Sequence, residues 1–197
     1  MTKGTVTPLR TGWNFGVSLN GIAFDPLAAE FWHGDPNSGW SYNALVGSIF
    51  LGLDANYAHV QPNGKYHYHG VPTGLIELLE WSASEHSPLV GYAADGFPIY
   101  AMTGAVDGKE TEMKSSYRLK PGNSPGGREP NGRYDGTFNE DYEYVEGQGH
   151  LDQCNGTVTV SAEYPNGTYA YFLTQDYPFV PRCFMGTPDQ SFKFGRG

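Results

Sequence analysis

Eight Asn-Gly or Asp-Gly dipeptides punctuate the 197 residues of this chain. Asn-Gly falls at 20–21, 63–64, 131–132, 155–156 and 166–167, and Asp-Gly at 95–96, 107–108 and 135–136. Both residues of such a pair tolerate the positive φ that a tight hairpin turn demands. A chain broken this often has no room for long helices. The expected fold is mainly β: a β-sandwich or β-barrel-like single domain spanning 1–197, with one or two short helices and long loops. The β-prone runs between the turns agree. Residues 157–161 and 168–173 flank Tyr-Pro-Asn-Gly as a hairpin, and 14–19, 22–25, 65–69, 90–93 and 98–102 alternate as strands with one buried face. Residues 73–82 repeat apolar positions at helical spacing, with Thr73 as the cap, and 43–51 is a second short helix candidate. Residues 120–136 hold almost no apolar side chain and read as a long loop, mobile unless something holds it.

Composition narrows the function classes. Aromatic residues make up 15% and charged residues only 17%, the reverse of a disordered chain. A net charge of −9 leaves no basic stripe for nucleic-acid phosphates and no attraction to anionic membranes. No apolar run nears the ~20 residues of a membrane span, so no membrane insertion is expected. The N-terminal Met-Thr-Lys-Gly-Thr-Val-Thr-Pro lacks the apolar core of a signal peptide. Either the protein works in the cytoplasm or an export signal has already been removed.

The most informative stretch is YAHVQPNGKYHYHG, residues 57–70. Three of the six histidines, His59, His67 and His69, lie within it. Residues two apart on a strand share a face, so His67 and His69 project together with Cα atoms ~7 Å apart. The Asn63-Gly64 turn folds the preceding segment back and brings His59 alongside. Three imidazoles so arranged can chelate one transition-metal ion, copper or zinc, and leave a coordination position for water. Tyr66 and Tyr68 would face the other way, into packing.

The other candidates are more isolated. His86 is read as a catalytic imidazole or a surface-loop histidine, and His33 and His150 as structural or surface groups. Asp95, in GYAADGFPIY, and Asp152, in HLDQCNG, could each orient a metal-bound histidine, ligate the metal or act as general base. Both also fit local turn chemistry. Cys154 and Cys183 have no CxxC neighbour, which leaves a disulfide or two buried thiols.

AHVQPNGKYHYHG, GYAADGFPIY, LDQCNG and YAYFLTQDYPFVPRCFMG occur in that order. Together they resemble the YHYH-domain proteins, a largely bacterial family named after the motif that Tyr66-His67-Tyr68-His69 forms here. The resemblance covers roughly residues 15 to 190. It implies one domain, a Cys154–Cys183 bond and a periplasmic or secreted setting. It also makes His59, His67, His69, Asp95 and Asp152 the natural site residues. Family members often carry a second Tyr-His-type pair where this chain has Ala170-Tyr171-Phe172-Leu173; if that pair serves the site elsewhere, this chain lacks part of the family's chemistry.

The leading expectation is a metal-dependent enzyme: a hydrolase or hydratase with zinc, or an oxidoreductase with copper that draws on Tyr66, Tyr68, Tyr92 or Tyr100. The alternatives are an exported binding module, which takes a glycan on an aromatic face of Trp13, Trp32, Trp40 and Trp81 or carries metal, and a structural subunit of a surface layer or filament. A small-molecule or glycan ligand fits these readings. Neither substrate nor oligomeric state is written in the residues.

Overall fold

Five of the eight glycine turns close hairpins in the computed structural model, which describes residues 4–194. In chain order the strands are β1 (Thr7–Pro8), β2 (Gly16–Ser18), β3 (Ala23–Phe24), β4 (Ala58–Val60), β5 (Tyr66–Tyr68), β6 (Leu89–Ala93), β7 (Pro98–Tyr100), β8 (Thr103–Val106), β9 (Lys109–Glu112), β10 (Tyr117–Leu119), β11 (Tyr142–Tyr144), β12 (Gly156–Thr159), β13 (Thr168–Phe172) and β14 (Cys183–Phe184). The turns at 20–21, 63–64, 95–96, 107–108 and 166–167 join β2 to β3, β4 to β5, β6 to β7, β8 to β9 and β12 to β13. At the 107–108 turn both Asp107 and Gly108 take positive φ, 51° and 74°, as the tightest hairpin turn requires. The expected span 1–197 includes residues 1–3 and 195–197, which lie outside the described residues. The start of the N-terminal stretch read for an export signal lies there too.

One eight-stranded mixed sheet organises the molecule, in the order β12-β13-β7-β6-β2-β3-β5-β4. Two pairs are parallel, β13 with β7 and β3 with β5, and the others antiparallel. β7 is buried throughout and β13 nearly so, as befits central strands covered on both faces. The β1–β14 ribbon and a helix, α1 (Thr73–Leu78), supply the cover. Phe184 stacks on Phe15 with ring centroids 5.3 Å apart, and Leu75 and Ile76 join the same core cluster. The mainly β class is as expected.

Local chemistry explains where the elements differ from expectation. α1 stops at Leu78, short of 82, and Glu80 just beyond takes a left-handed φ of 55°. Its cap is not the Thr73 side chain. Asn56, from the segment before β4, accepts the Gly74 N–H at 2.8 Å, while the Thr73 hydroxyl donates to the Ala55 carbonyl. The second helix, at 43–51, does not form. Asn43 is fully buried and its side-chain Oδ1 accepts the Leu45 N–H, while Gly47 and Gly52 adopt φ of 73° and 67°, so the segment is a chain of turns. The 120–136 loop folds on itself through Ser124 N–H to the Gly132 carbonyl and Gly126 N–H to the Pro130 carbonyl, both 2.8 Å. Trp32 Nε1 donates to its Arg128 carbonyl at 3.2 Å.

Candidate metal centre

β4 and β5 place His59 directly opposite His67. A cross-strand pair shares a face, and His69, two residues past His67, continues on that side. Tyr68 turns the other way. It packs on Phe24 at 5.6 Å, and its hydroxyl accepts from Asn20 Nδ2 at 2.9 Å. Tyr66 also leaves the histidine face and donates its hydroxyl to Asp54.

The three imidazoles converge on one point. His69 Nε2 stands 2.9 Å from His67 Nε2 and 3.2 Å from His59 Nε2. Ligand nitrogens on a tetrahedral zinc ion sit roughly 3.3 Å apart, given Zn–N bonds of about 2.0–2.1 Å. His67 and His69 are 3% and 2% exposed. The His59 Nδ1–H points at the Leu51 carbonyl, 2.6 Å away, which directs the lone pair of its Nε2 to the centre. That is the outer hydrogen bond by which a metal-ligating histidine is oriented. His67 Nδ1 has a longer contact, 3.4 Å to the Lys65 carbonyl, and His69 Nδ1 is buried with no partner. Among the described residues this trio is the group of three or more His, Cys, Asp or Glu side chains that could hold a metal ion.

Electrostatics keep the site ready for a cation. Burial pushes His67 down to about 4 from its usual 6.5, a shift opposed by the Lys65 carbonyl and helped by the charge of His59. Burial, reinforced by the charges of His67, His59 and Arg182, brings His69 down to about 2. Both rings are therefore neutral at physiological pH, the form that ligates a metal.

The trio opens onto a cavity of about 370 Å³, within the range of small-molecule sites. Its walls are mostly apolar, with Leu27, Phe31, Leu51 and Phe194 among them. Asp25 also lines it and was not among the expected site residues. It is 5% exposed, and burial raises its carboxyl from 3.8 to about 7 against the lowering effects of the Leu27 N–H, Arg182 and Gln61. Register explains its position. Parallel pairing sets Ala23 against His67, and the Asp25 N–H donates to the Tyr68 carbonyl at 2.9 Å, so Asp25 lies level with His69 on the histidine side. The sequence signal was a lone carboxylate closing an apolar run, Ile22-Ala23-Phe24-Asp25, but its meaning depends on a pairing between distant segments.

Asp95, Asp152 and His86 do not line this cavity. Asp95 Oδ2 accepts the Tyr171 hydroxyl at 2.5 Å and the Gly186 N–H at 2.9 Å. Asp152 Oδ1 accepts the N–H groups of Cys154 and Gly156, and the Tyr169 hydroxyl reaches both its oxygens at 3.1 Å. His86 lies edge-on to Tyr100 and its Nδ1 contacts the Ser87 carbonyl. His150 Nδ1 accepts the Lys114 N–H, and His33 is exposed beside Trp32. Cys154 and Cys183 form a disulfide with Cα atoms 5.0 Å apart.

The family model described as YHYH protein matches residues 1–186. The chain belongs to the YHYH protein family. The Tyr-His-Tyr-His run is strand β5 and its exit, the element that supplies two of the three converging imidazoles of this YHYH protein. No curated protein and no solved structure matches the chain. Among the described residues no helix is long and apolar enough to cross a membrane.

Proposed function

We propose that His59, His67 and His69 hold one transition-metal ion and that this domain is an extracytoplasmic metal-dependent enzyme acting on a small molecule. The observation that carries the reading is the convergence of three imidazole nitrogens, those of His67 and His69 buried, at the floor of a ligand-sized cavity. A metal held by three protein ligands supplies Lewis acidity and a water activated near neutral pH. The chain's own residues do the rest. The Leu51 carbonyl orients His59, the apolar walls exclude bulk water, and Asp25 faces the same space. The disulfide fits a setting outside the cytoplasm.

Zinc hydrolysis or hydration is favoured over copper redox chemistry by one observation. Tyr66 and Tyr68 leave the histidine face, and none of Tyr66, Tyr68, Tyr92 and Tyr100 lines the cavity, so no phenol is placed to share an electron with the ion. The catalytic roles read for Asp95, Asp152 and His86 stand apart from this centre and would need a second site. Glycan binding on tryptophans is less favoured. Trp40 is buried, Trp13 and Trp81 pack against the core, and Trp32 lies edge-on to Phe138.

Elemental analysis of the purified protein beside a His67→Ala/His69→Ala variant tests the reading. About one equivalent of zinc or copper in the parent, lost in the variant, is expected. No transition metal in the parent after reconstitution would sink it.

A further inference from the structure

The cavity above the histidine trio has a chemical asymmetry that goes beyond metal binding. Among the described residues, its lining includes two carboxylates, Asp25 and Glu30, and no lysine or arginine. The walls around them are mostly apolar. Asp25 is the buried one, and its hydrogen bonding is thin for a carboxyl group. Gln61 Nε2 reaches its Oδ2 only at 3.4 Å, and the Leu27 N–H is its other donor. A carboxylate has about four acceptor sites, so Asp25, in the same lining as the trio, keeps acceptor capacity. A buried polar group with unused capacity beside an open cavity is what a ligand's donor would satisfy.

We propose that the open position over His59, His67 and His69 takes the oxygen head of a small, uncharged molecule with an apolar body, and that Asp25 receives the hydrogen bond from an O–H or N–H of that head. The proposal rests on the metal-centre reading above. It names the substrate class as alcohols, amides and related neutral donors, as distinct from carboxylates and phosphates. The charge pattern selects for this class. Once Asp25 is ionised, an anionic head would meet its charge with no cationic side chain lining the cavity, since Arg182 acts on Asp25 only from outside the lining, whereas a neutral O–H or N–H donates to the carboxylate without that repulsion. The apolar body would rest between Leu27, Phe31 and Phe194. Asp25 is thus a specificity-determining residue.

The test uses the full chain loaded with Co(II), whose visible absorption reports both the ion and any ligand bound to it. At pH 8, above the value of about 7 at which the Asp25 carboxyl titrates, benzamide, acetamide and benzoate are titrated in turn. Benzamide is expected to bind at least tenfold more tightly than acetamide, because of its ring, and at least tenfold more tightly than benzoate. In Asp25→Asn, benzamide should weaken about tenfold while benzoate strengthens, because the repulsion is gone and an amide donor has replaced it. In Phe31→Ala the advantage of the phenyl ring over the methyl group should shrink while the benzamide-to-benzoate preference stays. This second variant keeps the apolar arm testable if Asp25→Asn does not fold. A parent that shows no Co(II) absorption overturns the metal-centre reading and this inference with it. A normal Co(II) spectrum, with equal affinities or with preferences unmoved in Asp25→Asn, overturns this inference alone.

Discussion

Two regions of this molecule gather buried polar side chains, and they treat them oppositely. Around β13, Asp152 and Asp95 are met by backbone N–H groups and by the hydroxyls of Tyr169 and Tyr171, beside the Cys154–Cys183 bond. Around β5, three imidazole nitrogens face one another at 2.9 and 3.2 Å, and Asp25 has only a long contact and one backbone donor. The first region spends its polar groups on itself and holds the fold together. The second leaves them aimed into a cavity. Although Asp95 Oδ1 is itself buried with no partner, opening onto a cavity is what separates site from scaffold here, where residue type alone does not.

The comparison breaks most visibly on metallation. An ion bound at 1,000 times its dissociation constant stabilises by ~4 kcal/mol, so the melting temperature of the parent should rise by about 10 °C on adding zinc. The same addition to His67→Ala/His69→Ala should produce no rise, and a rise there would move the ion to another site. Cys154→Ser/Cys183→Ser should cost ~3 kcal/mol, since the bond closes a separation of 29 residues. Denaturant titration measures this loss, and the metal content should remain at the parental level. Asp152→Ala removes the acceptor of two N–H groups and of a hydrogen bond from Tyr169, at a cost of about 2 kcal/mol in the same titration, again with metal content retained.

Acidity sharpens the contrast further. An unfolded histidine takes up a proton near 6.5, but folded His67 refuses it until about 4 and His69 until about 2. The unfolded state binds more protons in that window, so these two groups make the metal-free protein lose stability as pH falls below 6.5. Asp25 acts in the other direction. Its folded form keeps a proton up to about 7, whereas the unfolded chain releases it near 3.8, so its contribution is lost as pH rises between those values. Melting curves of metal-free Asp25→Asn against the parent should therefore diverge from pH 4 to pH 7, with the variant gaining relative stability. The smallest effect belongs to the surface. Arg118→Ala removes the exposed pair with Glu143 and should shift stability by less than about 1 kcal/mol.

Much of the sheet was legible because its punctuation is local. Gly64, Gly96 and Gly108 sit where a hairpin needs positive φ, and the runs between them alternate as strands do. The histidine trio was legible for the same reason, since a two-residue spacing and one turn bring the rings together. Asp25 was not, because its place depends on β3 pairing in parallel with β5 across more than forty residues. The expected roles of Asp95 and Asp152 met a similar limit. Their donors, Tyr171 and Tyr169, arrive from a strand whose position between β12 and β7 no local pattern encodes. The helix expected at 43–51 gave way to the buried side chain of Asn43 and two glycines in left-handed conformation.

His59 stands on β4, a three-residue strand at the outer end of the main sheet, while His67 lies on the strand inside it. An edge this short opens at far lower free energy than the sheet's interior. A bound ion would then keep its grip through β5 while β4 frays and releases one ligand. Its residence time would follow the opening rate of the edge strand and not the unfolding rate of the protein. Removal by a chelator would level off at high chelator concentration, at the rate of that opening. Such a centre can hand its ion on, or accept one, without the protein ever leaving its native state.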